Sequence, residues 1–300
     1  MPVMSSGSED RTHPANVRAA LLRAARALEE AGDSAPRLTA EILLGLVLGW
    51  DRVRVLSSLP QPLSRQHWDE HTALVQRRAS GVPLQYITGR QEFYGLSFAV
   101  NPAVLIPRPE TEQLVERAVA LADEGCDGAI RFVDVGTGSG CVAVAFAHQV
   151  ARASGCATDI SPAALAVARE NIARHRADGR VELVCCDLLE TFRAEPSFDF
   201  IICNLPYLAG ADAGRLDRTV VDHEPHLALF GGRSGTEIYS RLFPQARERL
   251  RARGHLLFEI DPALVDALRQ LLTCAGFVVG SILEDLQGLP RCIVAGKGDG

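Results

Sequence analysis

Lysine is almost absent: Lys297 is the only one, and the 31 basic residues are otherwise all arginine. The bias reads as codon usage rather than function. Basic surplus is missing too, since the net charge is −6. That argues against nucleic acid as the main partner, which would require a positive footprint. No apolar run reaches the ~18–20 residues needed to span a bilayer. The stretch Met1–Arg11 is rich in Ser, Gly and acid and lacks the apolar core of a signal peptide. A cytoplasmic location and no membrane partner are therefore expected. The eight cysteines (Cys126, Cys141, Cys156, Cys185, Cys186, Cys203, Cys274 and Cys292) contain no C-x-x-C pair. Several sit in apolar strand-like runs such as Val184-Cys185-Cys186, so they read as buried free thiols in a reducing compartment. His67 and His71 lie four apart on a helix but lack a third ligand or the zincin glutamate. They read as a solvated helix face, and no metal is expected.

What is present is ordinary globular material, 47% hydrophobic and 23% charged, with length for about two domains at ~150 residues each. Its centre is Phe132-Val133-Asp134-Val135-Gly136-Thr137-Gly138-Ser139-Gly140-Cys141. A short strand ends in an acid, three glycines alternate with small polar residues, and an apolar run opens at helical spacing. The glycines allow positive φ and close approach of a ligand, next to the free N–H groups of a helix start. The spacing is G-x-G-x-G, not the G-x-G-x-x-G of a dinucleotide fold. A carboxylate just before the first glycine would repel a pyrophosphate but suits a cationic or amino-bearing ligand. S-adenosylmethionine carries both a sulfonium and an α-amino group.

Around this centre the chain orders itself. Residues 1–14 resemble a disordered tail. Helical spacing covers 15–31 and 37–48, with Gly32 and Gly49 as stops, and shorter helical pieces cover 52–59 and 64–78. Tyr86–Gly89 and Glu92–Val100 read as a hairpin with glycine turns. Ile106-Pro107-Arg108-Pro109-Glu110-Thr111-Glu112 is a stiff segment whose acids favour the start of a helix over 113–122. From Arg131 onward, strands near 131–135, 155–159, 181–186, 198–203, 255–260, 276–283 and 290–295 alternate with helices over 139–152, 162–176, 235–252 and 262–275. That pattern predicts an α/β domain with a parallel sheet covered on both faces.

Ligands in such sheets bind at the carboxyl ends of strands, and polar residues gather there. Asp159 is free to accept two hydroxyl hydrogens, as from a ribose, because Ser161 before Pro162 already caps the following helix. Asp187 suits an exocyclic amine and Leu188 a purine face. Asn204-Leu205-Pro206-Tyr207 combines an amide, a backbone carbonyl and an aromatic plane, a site suited to a flat –NH2 group. The Asn204 oxygen and the Leu205 carbonyl would accept its two hydrogens while Tyr207 lies against the plane.

These motifs, with Arg37-Leu38-Thr39-Ala40-Glu41, Asp159-Ile160-Ser161-Pro162-Ala163-Ala164, Glu224-Pro225, Leu227–Gly232 and Leu256-Leu257-Phe258-Glu259-Ile260 in that order, resemble the protein-(glutamine-N5) methyltransferases of the HemK/PrmC type. The resemblance implies a class I (Rossmann-like) S-adenosylmethionine-dependent methyltransferase domain over 113–300. It implies a helical substrate-docking domain over 15–82, a hairpin linker over 83–112, and peptide chain release factors as partners. Carried over, Asp134, Gly136, Thr137, Gly138, Ser139 and Gly140 would wrap the cofactor, Asp159 hold its ribose, and Asp187 and Leu188 flank its adenine. Asn204, Leu205, Pro206 and Tyr207 would hold the acceptor amide, Asn204 also facing the cofactor, and Arg108, Pro109 and Glu110 would line the pocket edge. A monomer without direct nucleic-acid binding is expected. The chain departs from the family at Leu205, where a proline is usual, and at Asp261, where glycine is usual. Losing that proline removes a restriction on Asn204 and puts a bulkier, more mobile side chain beside the acceptor.

A carboxamide nitrogen is a weak nucleophile. Two acceptors on its hydrogens, aiming it in line at a methyl carbon, would favour the charge that develops on it. The leading function is methylation of the glutamine in the Gly-Gly-Gln loop of release factors. Alternatives are a paralogue with another protein or small-molecule acceptor, an adenine-N6 nucleic-acid methyltransferase, and a binding protein whose pocket Leu205 has closed.

Overall fold

The computed structural model describes residues 13–125, 128–210, 214 and 218–297; the expected tail falls mostly outside them, as does Cys126. The chain divides into two compact units, Met1–Thr88 and Gly89–Gly300. The first holds α1 (Val17–Glu30), α2 (Pro36–Leu48), α3 (Arg52–Ser57), α4 (Arg65–Ala79) and α5 (Leu84–Thr88). Capping defines their starts: Asn16, Asp51 and Ser64 accept backbone N–H groups from the first turns of α1, α3 and α4. Val17, Leu21, Ala24 and Leu28 of α1 bury one stripe against Leu43 and Leu44 of α2. Glu41, buried in that unit, accepts from Arg37 at 3.0 Å and Arg52 at 2.6 Å.

Two expectations fail in this unit. Residues 84–88 are helical rather than the first arm of a hairpin, because Pro83 opens a turn whose carbonyl accepts from Tyr86 and Ile87, and both side chains enter the core. His71 is buried rather than solvated, edge-on to Trp68 at 6.3 Å, with neither ring nitrogen in a hydrogen bond of normal geometry. Burial lowers its pKa to about 4, a weak backbone contact at Ala40 only partly opposing.

The second unit opens with a hairpin of β1 (Arg90–Phe93) and β2 (Leu96–Ala99), turned at Tyr94-Gly95 with both φ positive. The order continues α6 (Glu112–Gly125), β3 (Ile130–Val135), α7 (Cys141–Gln149), β4 (Ala153–Asp159), α8 (Pro162–Arg174), β5 (Val181–Cys185), β6 (Phe198–Cys203) and β7 (Leu208–Ala209). Then come α9 (Arg218–His223), α10 (His226–Leu229), β8 (Phe230–Gly232), α11 (Glu237–Arg249), β9 (Leu250–Glu259), α12 (Val265–Cys274), β10 (Phe277–Glu284) and β11 (Pro290–Lys297).

The main sheet runs β10-β11-β9-β6-β3-β4-β5. Its β9, β6, β3, β4 and β5 are mutually parallel, whereas β11 pairs antiparallel with both β9 and β10. The wholly parallel sheet expected from the alternation fails at this edge. Residues 285–289 are too few for a crossover, and Asp285 holds them as a turn by accepting from Gln287, Leu289 and Arg291. Successive strand residues serve opposite cores: Phe132, Phe200 and Ile202 pack with α6 and α7, while Val133, Ile201 and Cys203 pack with α11 and α12. That two-sided burial is why these strands read as unbroken apolar runs. Cys141, Cys156, Cys203 and Cys292 are buried as expected, but Cys185 and Cys274 are exposed and Cys186 is half-buried; β5, which carries Cys185, is the sheet's edge, and Cys274 ends α12.

Candidate active site

The chain runs from β3 outward to β4 and β5, then returns to β6 on the other side of β3. A crevice opens at such a reversal, beyond the strands' carboxyl ends. A cleft of about 250 Å³ lies there. Asp134, Gly136, Thr137, Gly138, Ser139, Asp159, Asp187, Leu188, Asn204, Leu205, Pro206 and Arg108 all line it.

The glycine turn spends its first donors inside the protein. Gly136 and Thr137 N–H donate to the Thr158 carbonyl at 2.9 and 2.8 Å, and Gly138 N–H donates to Asp159 Oδ2 at 2.9 Å. A turn whose amides are taken this way is no phosphate cradle. What it offers is carboxylate. Asp134 Oδ2 accepts from the Thr137 hydroxyl at 2.6 Å and from Ala143 N–H, at the start of α7, at 3.2 Å. Burial pushes its pKa up to about 7, opposed by those two bonds, with the Asp159 charge adding. Asp159 is likewise raised by burial, opposed by N–H bonds from Ser161 and Gly138. Both acids stand where burial disfavours their charge, so a cation would relieve them. Asp159 keeps a lone pair on each oxygen for a diol. Ile160 (half exposed) and Leu188 supply apolar surface on the same wall.

Asp187 is ion-paired, with Arg241 Nη2 2.5 Å from its Oδ2, and keeps Oδ1 as an acceptor. Arg241 also lines the cleft and had no sequence signal, sitting mid-helix and 54 positions away.

On the β6 side, the register pairs Val135 with Cys203, so Gly136 and Asn204 emerge side by side. Gly136 has φ +73°, and a Cβ there would stand 2.7 Å from Leu205 Cδ2. The Leu205 side chain is therefore not mobile beside the acceptor, as the loss of proline suggested; it is buried against the bare glycine. Its carbonyl takes a long bond from the Tyr239 hydroxyl at 3.3 Å and keeps a second lone pair. Asn204 Nδ2 donates to Thr111 Oγ1 at 3.0 Å, and Thr111 donates to Glu259 Oε2 at 2.5 Å. Glu259 is buried, and burial raises its pKa against the bonds from Thr111 and Tyr207.

Four expected site residues lie off the cleft wall. Tyr207 is half-buried, turns its hydroxyl to Glu259 Oε1 at 3.2 Å and packs its ring against the α11–α12 core. Gly140 is the N-cap of α7, with a built Cβ 3.3 Å from that of Ala168. Pro109 and Glu110 begin an exposed 3-10 turn. The segment before them is clamped by buried Glu224, which accepts from Arg108 Nη2 at 2.5 Å and Ile106 N–H at 3.1 Å.

Among the described residues no three acidic, Cys or His side chains gather as a metal site, and no helix is long and apolar enough to cross a membrane. The family PrmC N-terminal domain matches residues 19–89, and the family Methyltransferase domain matches residues 132–222. A release factor glutamine methyltransferase from Koribacter versatilis is 41% identical, over 90% of this chain and 94% of that protein. One from Moorella thermoacetica is 40% identical, over 93% and 98%. Among solved structures, the hMettl16 catalytic domain superposes with a TM-score of 0.54 at 18% identity, over 75% of this chain and 81% of that one. At that identity the likeness is one of fold.

Proposed function

The chain belongs to the release factor glutamine methyltransferases, and we propose that the cleft residues above carry that family's reaction here. The activity is S-adenosylmethionine-dependent N5-methylation of a glutamine side-chain amide in peptide chain release factors, at the Gly-Gly-Gln loop. S-adenosylmethionine fits the residues present: its cationic sulfur and amino group suit the Asp134 side of the turn, its diol suits Asp159, and its adenine suits Ile160 and Leu188. When bound, it supplies an electrophilic methyl group.

The observation that carries the reading is the register. Parallel pairing of β3 with β6 sets the turn at Gly136 beside Asn204, so one strand end serves the methyl donor and its neighbour the acceptor. Asn204 Oδ1 and the Leu205 carbonyl bind the two hydrogens of the glutamine amide and aim its nitrogen across the cleft. Holding two reactants in line contributes up to about 7–11 kcal/mol in good intramolecular cases, and acceptors on the N–H groups favour the charge that develops on nitrogen. No side chain acts as a strong base; the proton leaves with or after methyl transfer. Arg108, fixed by Glu224, forms the rim.

Mass spectrometry of a purified release factor, after incubation with this protein and S-adenosylmethionine, tests the reading. The expected result is one added methyl group on the glutamine of the Gly-Gly-Gln peptide, with turnover strongly reduced and cofactor affinity nearly kept in Asn204→Ala. An unmodified glutamine, with the cofactor bound, would refute it.

A further inference from the structure

An asparagine side chain has two ends that differ only in N and O, and which end faces the substrate decides whether it accepts or donates. The network behind Asn204 decides it. Glu259 is met by two hydroxyl donors, Thr111 on Oε2 and Tyr207 on Oε1, and both bonds favour its acceptor form against burial. Thr111 has one hydroxyl proton and places it on Glu259 Oε2 at 2.5 Å. With that proton committed, Thr111 Oγ1 has only lone pairs left for Asn204, so Nδ2 must face it, as it does at 3.0 Å. Tyr207 donates to the other Glu259 oxygen at 3.2 Å, which keeps the carboxylate from rotating away. Among the described residues no donor is bonded to Asn204 Oδ1.

We infer that Thr111 is a positioning residue for methyl transfer: through a one-way chain of donors ending on Glu259, it fixes the Asn204 amide with its oxygen toward the acceptor glutamine. This rests on the acceptor role proposed for Asn204. Thr111 touches the cleft wall but is almost wholly buried, and its hydroxyl is taken up by Glu259 and Asn204, so its effect on the substrate runs through Asn204. Without the relay the amide would flip freely, and its NH2 face would oppose the NH2 group it is meant to hold. Seen this way, the rigid segment Ile106–Thr111 anchors the acceptor site in addition to edging the pocket. Its conformation delivers Thr111 under β6, 93 positions ahead of Asn204.

The test compares Thr111→Val, which keeps the shape and removes the hydroxyl, with Thr111→Ser, which restores it. In full-length protein, Thr111→Val is expected to lower kcat by about ten- to a hundredfold, the range set by leaving a buried polar group unpaired. S-adenosylmethionine Kd and the KM for release factor should stay within about twofold, by the logic that an interaction made only in the transition state affects kcat. Thr111→Ser should return kcat to within a few-fold of wild type. A second readout needs no turnover. The chain has four asparagines, Asn16, Asn101, Asn171 and Asn204, so asparagine-selective ¹⁵N labelling resolves the Asn204 NH2 pair, assigned by its loss in Asn204→Ala. Those protons should be protected from exchange in wild type and Thr111→Ser and unprotected in Thr111→Val. Unchanged kcat in Thr111→Val, equal damage by Ser and Val, or unchanged protection would each overturn the inference. A wild-type protein that binds S-adenosylmethionine but methylates no Gly-Gly-Gln peptide would sink the acceptor reading instead, and the NMR comparison would still decide the relay.

Discussion

Asp134 is the group whose titration the cofactor should feel. It is fully buried at the end of β3, and burial holds its pKa at about 7, opposed by the Thr137 and Ala143 bonds, with the Asp159 charge adding. Near neutral pH about half of the free protein therefore carries a neutral Asp134. A cation bound beside it favours the ionised form, so binding expels a proton. If the ionised form binds, the apparent affinity falls by 1 + 10^(pKa − pH) relative to its high-pH limit. That is about twofold at pH 7 and about elevenfold at pH 6, and almost nothing at pH 8, taking the pKa as about 7. S-adenosylmethionine should thus bind about tenfold more weakly at pH 6 than at pH 8, or about 1.4 kcal/mol. Calorimetry in two buffers of different ionisation enthalpy reads the released proton directly. Asp159, also raised by burial, titrates in the same direction, so Asp134→Asn is the control: it should bind more weakly at pH 8 and lose most of the pH dependence. A flat affinity from pH 6 to 8 in wild type, or a slope that Asp134→Asn leaves intact, would refute the placement of the cation beside Asp134.

Three further outcomes follow from the structure. Gly136→Ala imposes a left-handed φ on a residue with a Cβ, at about 1–2 kcal/mol, and drives that Cβ to 2.7 Å from Leu205 Cδ2. Cofactor affinity should fall about tenfold, and adding Leu205→Ala should recover part of it; strictly additive losses in a double-mutant cycle would show the two residues are not in contact. His71 is held near pKa 4 by burial against 6.5 when unfolded, so the unfolded chain takes up the proton first and stability is lost as pH falls below about 6.5, by about 3 kcal/mol at pH 4. Urea unfolding should show His71→Phe flattening that acid limb, and parallel curves would contradict it. Glu224→Ala strands the Arg108 guanidinium and Ile106 N–H, costing about 2–4 kcal/mol, and limited proteolysis should then cut within 103–110; an unchanged digestion pattern would count against the clamp.

The half of the cleft proposed for the cofactor was legible because it is local. Asp134 through Ser139, Asp159 and Leu188 lie at or just past the carboxyl ends of β3, β4 and β5, and around Asp134 a strand, a turn and a helix start follow one another within ten residues. The acceptor half was not, because its chemistry is assembled across the fold. Thr111, Asn204 and Glu259 are separated by 93 and 55 positions, Thr111 and Glu259 by 148, and no spacing rule joins an exposed-looking Pro-Glu-Thr to a strand-end glutamate. The Tyr207 hydroxyl's partner was hidden for the same reason: an aromatic after Asn-x-Pro says nothing of Glu259, 52 positions on. His71 was a different failure, of pattern reading. Trp68, His71 and Val75 fall at i, i+3 and i+7, one helical face, and that face is the buried one.

Leu205 shows how the site keeps its geometry without the family's proline. A proline there would restrict Asn204 through the chain itself, by excluding helical backbone from the preceding residue. Here the restriction comes from packing on two sides. The Leu205 side chain is wedged, almost wholly buried, against Gly136 of the neighbouring strand end, and its carbonyl takes the long arm, 3.3 Å, of a bifurcated bond from the Tyr239 hydroxyl, whose single proton is directed mainly to the Glu259 carbonyl at 2.8 Å. Tyr239 thus ties the backbone of Leu205 to the same residue whose carboxylate, through Thr111, orients the Asn204 side chain. The Leu205 backbone and the Asn204 side chain are both referred to β9, and Leu205 packs against the glycine turn. A substitution that loosens any one of these three contacts should therefore weaken methyl transfer without emptying the cleft, because the carboxylates of Asp134 and Asp159 are held by the glycine turn and the starts of α7 and α8, on separate bonds.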